Sequence, residues 1–163
     1  MARLRARVWR QTALHVPACL PPQQPAPHAG RYHRAGDPWP LYTALDLDTM
    51  WAEWQHATGG AVAPEDDERW VCRLEVDLTV LDLRDLATRR ALGVDVAELV
   101  GDWSPDAPNA ATMRVAEAAA ELGVDGMVVP SAARPGGWNL AVLPRAFDRV
   151  RLVSRRRAVP APA

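Results

Sequence analysis

The sequence predicts an α+β fold in a single domain. Its 163 residues suffice for one hydrophobic core and are few for two. Hydrophobic residues make up 48% of the chain and charged residues 24%, as in packed globular domains. Strand-like alternation and an Ala-rich helical run both occur, so strands and helices are expected to share the core. We predict one domain over residues 1–154.

The N-terminal segment is predicted to be a strand followed by a long loop. Residues 4–10 alternate loosely between apolar and polar types, as a strand does. Residues 17–40 contain seven of the 15 prolines, which interrupt both helices and central strands. A loop of this length is uncommon in a compact domain and is often functional.

A strand, a helix and two more strands are predicted next. Residues 41–45 form a short apolar run typical of a strand. Asp48 is placed to cap a helix over residues 49–57, in which apolar side chains share one face. Residues 70–76 alternate apolar and polar types, and residues 79–83 continue as another strand.

The second half is predicted to contain helices and then strands. The clearest helix covers residues 110–122, because it is Ala-rich, follows the capping residue Asn109 and ends at Gly123. Residues 155–163 combine Ala and Pro with three consecutive Arg and are predicted to be a disordered tail. The remaining predicted elements are short helices at 85–92 and 95–100 and strands at 124–130, 138–143 and 150–153.

Charge and cysteine content narrow the classes of function. The chain has 19 basic and 20 acidic residues, so binding to nucleic acid or to an anionic membrane is not expected. All 19 basic residues are Arg, which excludes mechanisms that require Lys. Cys19 and Cys72 are far apart in the sequence, and neither a signal peptide nor a membrane span is found, so a cytoplasmic location is expected.

Several common catalytic motifs are missing. The four His residues show no metal-ligand spacing, so no metal site is predicted. Neither a G-x-G-x-x-G nor a G-x-S-x-G pattern occurs, which removes the main support for a dinucleotide-binding Rossmann fold or an α/β-hydrolase.

Three segments contain polar residues that packing alone does not require, at 30–44, 48–57 and 125–140. With the N-terminal strand, they carry an ordered set of short motifs: Val8-Trp9-Arg10, Gly30-Arg31, Leu41-Tyr42, Ala52-Glu53, Asp125-Gly126, Ser131-Ala132, Arg134 and Asn139-Leu140. This ordered set resembles the RES domain family over nearly the whole chain. The sequence departs from the family at Tyr32-His33, where the family has Trp-Asn, and in the Pro-rich insertion before Gly30.

The resemblance implies a fold and an activity. The fold would be similar to that of ADP-ribosyltransferases, with two small, mostly antiparallel sheets around an NAD cleft and helices outside. The activity would be that of a toxin that cleaves the nicotinamide–ribose bond of NAD by hydrolysis, phosphorolysis or ADP-ribosyl transfer. NAD would be the substrate, with no metal, and the expected partner is a cognate antitoxin with an Xre-like helix-turn-helix.

The resemblance also implies roles for polar side chains. A carboxylate such as Glu53 can stabilise the oxocarbenium charge that develops on the ribose. A guanidinium can clamp the pyrophosphate, for which Arg31 or Arg10 is suited, and the Tyr42 ring can stack on nicotinamide. The expected catalytic residues are Glu53, Arg31 and Ser131, and the expected NAD-binding residues are Arg10, Tyr42 and Asn139.

Each of these residues also has an ordinary structural interpretation. Glu53 at the margin of a helix face is typical of a solvated residue, and Tyr42 in an apolar strand is typical of a core residue. An alternative function is therefore a catalytically weak or inactive RES-like protein-interaction module, which the change at Tyr32-His33 keeps open.

Overall fold

The computed structural model describes residues 1–16, 18–20, 25–59, 67–104 and 109–160, and it confirms the mixed α+β architecture. In these ranges, no helix is long and apolar enough to cross a membrane. The strands are β1 Ala2–Ala13, β2 Leu41–Ala44, β3 Arg69–Asp82, β4 Gly126–Pro130, β5 Trp138–Val142 and β6 Val150–Ala158. The helices are α1 Leu47–Ala57, α2 Leu86–Leu92, α3 Val96–Val100 and α4 Ala110–Glu121, with a 3₁₀ helix at Pro144–Arg149.

The strands of the described ranges form one sheet instead of the expected two. Its order is β1-β2-β5-β4-β3-β6, and β1 also pairs with β3, which closes five strands into a barrel-like sheet. The pairing of β3 with β4 is parallel and the other pairings are antiparallel. Strand length explains the closure, because β3 has 14 residues and pairs with the 12-residue β1 while its last residues reach β4.

The two strands predicted at 70–76 and 79–83 are one continuous strand, β3. Its alternation continues without a break from residue 72 to residue 80, because Leu78 stays in the core while Asp77 points outward. Asp77 accepts hydrogen bonds from Arg3 of the neighbouring β1 at 2.8 Å, which stabilises a charged residue in the middle of the strand.

The tail that was predicted to be disordered begins as part of β6, and this part of the prediction is wrong. β6 extends through residues 155–158 and pairs with β3. The guanidinium carbons of Arg155 and Arg157 lie 4.3 and 5.1 Å from the centre of the Trp70 ring. Cation–π contacts and strand pairing therefore give this Arg-rich segment partners that its composition does not reveal. Residues 161–163 lie outside the described residues.

Cys19 and Cys72 form a disulfide, which the sequence did not predict. Their separation of 53 residues conceals their proximity. Ala13 at the end of β1 pairs with Arg69 at the start of β3, so the loop after β1 begins beside β3. The disulfide thus attaches the described residues 18–20 to the sheet.

Apolar side chains fill both sides of the sheet. The cluster inside the barrel draws on all five closed strands and includes Val8, Leu41, Leu74, Val128 and Leu140. A second cluster lies between the sheet and helices α3 and α4, and a third lies under α1.

The helix starts follow local capping. Asn109 caps α4 as predicted. α1 begins at Leu47 because Asp46, two residues before the predicted cap Asp48, accepts the backbone N–H of Thr49 at 2.8 Å. This cap sets the register of the helix that carries the predicted acid.

Candidate active site

Glu53 projects from the second turn of α1 toward the ends of two strands. Ser131, directly after β4, donates its hydroxyl to Glu53 Oε1 at 2.6 Å. Asn139 of β5 donates its Nδ2 to the same oxygen, also at 2.6 Å. No ion pair with Glu53 is found in the part of the chain that is described. The structure therefore places two predicted site residues, Ser131 and Asn139, against the carboxylate of a third, Glu53.

The direction of the Ser131 hydroxyl is set by its own turn. Its Oγ accepts the backbone N–H groups of Ala133 and Arg134 at 3.2 and 3.0 Å, so its proton is left to donate to Glu53. The Arg134 guanidinium also binds Asp46 Oδ1 at 3.1 Å. The loop after β4 is thereby attached to the first turn of α1, which orients the acid and its donor together.

Asn139 is held by strands on both sides. β5 pairs with β2 and β4, so the backbone at Asn139 is paired with Ala44 and Val129. Asn is disfavoured in strands, and the hydrogen bond from its side-chain amide to Glu53 accounts for its presence here. Gly137 permits the close approach of this segment to α1, since a Cβ there would lie 2.6 Å from Thr49 Oγ1.

A cleft of about 550 Å³ opens beside Glu53 and Asn139. In the described ranges β1 and β2 pair at Trp9 and Ala44, and the strands separate beyond that point. This volume is in the range of small-molecule sites. No group of three or more His, Cys, Asp or Glu that could hold a metal occurs in those ranges. The aromatic residues that line the cleft are Trp9, Trp39, Tyr42 and Trp54.

Arg10 supplies positive charge to the cleft. Its Nη1 spans the gap between β1 and β2 and donates to the backbone oxygen of Tyr42 at 3.2 Å. Its Nε is buried and has no hydrogen-bond partner, and no carboxylate pairs with Arg10, among the described residues. Burial lowers the pKa of Arg10 to about 10. A cation in this position is suited to an anionic group of a ligand, which would replace the missing counter-charge.

Tyr42 lines the cleft and anchors its hydroxyl inside the protein. The hydroxyl accepts the backbone N–H of Tyr32 at 3.3 Å and bonds to His33 Nδ1 at 2.9 Å. Burial raises the pKa of the Tyr42 hydroxyl, which keeps it protonated at neutral pH. The ring is therefore fixed at its far end and can stack against a ligand.

Arg31 is not among the residues that line this cleft. Its Nη1 donates to the backbone oxygens of Leu99 and Gly101 at 3.1 and 2.9 Å. Both carbonyls lie at the end of α3, where backbone oxygens lack helical partners. Of the two Arg residues considered for the pyrophosphate, Arg10 is the one placed in the cleft.

Sequence reasoning missed several residues around the site. Tyr32 is 4% exposed, and its hydroxyl has no hydrogen-bond partner in the described part of the chain. His33 holds the Tyr42 hydroxyl, and Trp39 and Trp54 line the cleft. The composition contained a signal for the aromatic walls, because the chain has seven Trp and a single Phe.

Comparison with known proteins provides three findings. The family model described as the RES domain matches residues 3–162. The chain is 35% identical over 150 residues to the Probable NAD(+) phosphorylase of Mycobacterium tuberculosis (strain ATCC 25618 / H37Rv), covering 90% of this chain and 68% of that protein. It also matches a chain of the M. tuberculosis MbcT-MbcA toxin-antitoxin complex with a TM-score of 0.76 and 22% identity, covering 96% of this chain and 86% of the other. The structural likeness shows a shared fold.

Proposed function

Because the chain belongs to the RES domain family, we propose that it is a toxin that cleaves the nicotinamide–ribose bond of NAD in the cleft beside Glu53. The observation that carries the proposal is the Glu53 carboxylate, which Ser131 and Asn139 hold at the edge of an aromatic cleft. The related protein named as an NAD(+) phosphorylase supports NAD as the substrate. An ADP-ribosyltransferase-like arrangement around NAD and a cytoplasmic location are part of this proposal. The cysteines no longer support that location, because Cys19 and Cys72 form a disulfide.

Glu53 acts on the charge that develops in the sugar. As nicotinamide leaves, the ribose ring gains oxocarbenium character, and a fixed carboxylate stabilises this charge more than it stabilises the ground state. Ser131 and Asn139 both bind Oε1, so Oε2 is the oxygen offered to the ribose. The two donors also prevent the carboxylate from turning away, so little reorganisation is needed during the reaction.

The rest of the cleft would bind the other parts of NAD. Arg10 is assigned to the pyrophosphate, because its guanidinium lies at the cleft without a carboxylate partner among the described residues. The ring of Tyr42 is assigned to the flat nicotinamide, as aromatic faces stack on aromatic ligands. Arg31 is assigned an indirect role, through the turn that it shares with Tyr32.

The acceptor of ADP-ribose is tested by the products. Purified protein is incubated with NAD, with and without inorganic phosphate, and the products are identified by mass spectrometry. Nicotinamide with a phosphorylated ADP-ribose indicates phosphorolysis, and nicotinamide with free ADP-ribose indicates hydrolysis. Mass added to the protein indicates transfer. No loss of NAD under either condition would contradict the proposal and favour the protein-interaction module.

The toxin would require a partner that covers the cleft. A cognate antitoxin, with an Xre-like helix-turn-helix, is expected to bury Arg31 and part of the loop at 17–40, which includes the cleft residue Trp39. The related toxin-antitoxin complex supports this kind of partner. Binding to the product of the neighbouring gene is measured at increasing NAD. If the complex forms equally well at every NAD concentration and the bound enzyme still turns over, this model is wrong.

A further inference from the structure

We propose that His33 is a positioning residue that holds the Tyr42 ring in the cleft wall, and that only the neutral imidazole does so. The kinetic consequences rest on the proposed function, whereas the contact itself can be measured without it. His33 does not line the cleft and acts through Tyr42.

The His33 ring is built into a tight turn. The backbone N–H of Gly30 donates to the oxygen of His33 at 2.9 Å, and the N–H of His33 donates back at 3.3 Å. This pairing places Arg31 and Tyr32 at the tip of the turn. A Cβ at position 30 would lie 2.1 Å from His33 Cε1, so the ring fits over the turn because residue 30 is glycine.

The hydrogen bonds of His33 define its tautomer. Nε2 lies 3.1 Å from the backbone oxygen of His28, which can only accept, so Nε2 carries a proton. In a neutral ring Nδ1 is then an acceptor, and it receives the proton of the Tyr42 hydroxyl at 2.9 Å. The hydroxyl in turn accepts the backbone N–H of Tyr32 at 3.3 Å. Each polar atom in this series of hydrogen bonds has a compatible partner.

Protonation of His33 would disrupt this arrangement. A proton on Nδ1 would face the Tyr42 hydroxyl, which would have to accept from both His33 and Tyr32. The hydroxyl proton would lose its acceptor, at a cost of about 1–3 kcal/mol for a buried donor. The anchored ring would therefore be released as the imidazole gains charge.

The surroundings of His33 also favour the neutral form. The residue is 7% exposed, and burial lowers its pKa, while the backbone oxygen of His28 and the Asp37 carboxylate act in the opposite direction. Arg34 is paired with Glu117 at 2.9 Å and so contributes little net charge. The charged residues that line the same pocket as His33, from its own loop, from α4 and from the 3₁₀ helix, are Arg34, Asp37, Glu117 and Arg145.

Two amide substitutions separate the two bonds of His33. The oxygen of Asn can take the place of Nδ1, so His33→Asn should keep the bond from Tyr42. The amide nitrogen of Gln can take the place of Nε2, so His33→Gln should keep only the bond to His28. We expect kcat/KM for NAD to stay within about threefold of the parent in His33→Asn and to fall about tenfold or more in His33→Gln.

The pH profile distinguishes positioning from a structural role. In the parent, kcat/KM should fall at acid pH as His33 is protonated, and His33→Asn should lack this contribution. If His33→Gln matches His33→Asn in kcat/KM, or if the acid limbs of the parent and His33→Asn coincide, the proposal is overturned.

A spectroscopic measurement tests the hydrogen bond between His33 and Tyr42 independently of the activity. In ¹⁵N NMR of the protein without NAD, His33 should show a protonated Nε2 and an unprotonated Nδ1 at neutral pH. It should titrate below the ordinary value of about 6.5. A protonated Nδ1 at neutral pH, or titration above that value, would overturn the proposal. If the parent does not consume NAD, the proposed function fails, and the NMR result still decides whether His33 holds Tyr42.

Discussion

Glu53 and Arg10 bring opposite charges to one cleft, and each lacks an ion-pair partner among the described residues. The neutral side chains of Ser131 and Asn139 donate hydrogen bonds to Glu53, and a backbone oxygen accepts a hydrogen bond from Arg10. Partly buried charges without counter-charges are unfavourable in a folded protein. A ligand that supplies the opposite charge removes this cost and therefore binds more tightly. This pattern fits a substrate that carries a pyrophosphate and develops positive charge on a sugar.

The first prediction compares three Arg→Lys substitutions. Arg10→Lys should weaken NAD binding about tenfold or more, because a hydrogen bond to a charged group contributes about 1.5–3 kcal/mol and Lys lacks the planar fork. Arg31→Lys should weaken binding less, since its observed bonds are to backbone oxygens of the protein. Arg7→Lys, on the exposed surface, is the control. Calorimetric titration with NAD that shows Arg31→Lys to be the most damaging would contradict this assignment.

The sequence identified the residues around Glu53 but could not choose between the two Arg residues. Ser131 and Asn139 belong to short motifs that occur in this sequence in the same order as in the RES domain family, so the resemblance pointed to them. Arg10 and Arg31 both lie beside aromatic residues and look equivalent. The register of β1 against β3 makes the difference, because it places Arg10 on the inner face of the strand opposite Cys72.

At the scale of single elements, α1 is positioned by its first turn. Asp46 caps the helix and also binds Arg134 from the loop that carries Ser131. The sequence predicts Asp48 as the cap, whereas in the structure Asp46 accepts both the backbone N–H and the hydroxyl of Thr49 at 2.8 Å. Local sequence could therefore predict the helix but not its first residue.

The second prediction tests this cap. Asp46→Ala should lower the free energy of unfolding by about 1–2 kcal/mol, because it removes both the cap and the nearer of the two carboxylates that pair with Arg134. Asp48→Ala is the matched control, because Asp48 also pairs with Arg134, at 3.5 Å, but does not cap the helix. Its side chain is 79% exposed, so the substitution should change stability by less than about 0.5 kcal/mol. Urea denaturation measures both values. Equal losses in the two variants would show that Asp46 does not set the start of the helix.

At the scale of the whole molecule, closure of the sheet depends on contacts between distant segments. β1 pairs with β3 along its length, and the disulfide between Cys19 and Cys72 joins the loop after β1 to the same strand. Individual strands were predictable from alternation, as for β1 and β3, or from a short apolar run, as for β2. Their order was not, because strand pairing over long sequence distances leaves no local pattern.

The third prediction concerns this disulfide. Cross-linking residues 53 apart restricts the unfolded chain, and in the chain-entropy treatment this contributes up to about 4 kcal/mol. Dithiothreitol should therefore lower the free energy of unfolding of the parent chain. Cys19→Ala should already be less stable and should not respond to the reductant. Identical denaturation curves of the parent with and without dithiothreitol would show that the disulfide does not stabilise the fold.

The central claim is that the Glu53 carboxylate stabilises the departing sugar, and release of nicotinamide from NAD by Glu53→Gln tests it most directly. The Gln oxygen can still accept from Ser131 and Asn139, so the variant should melt like the parent, and Glu121→Gln on the surface of α4 serves as the control. Loss of the charge should lower kcat by about 10²-fold or more, as for other groups that stabilise transition-state charge. Release of nicotinamide by Glu53→Gln at the parental rate would contradict the claim.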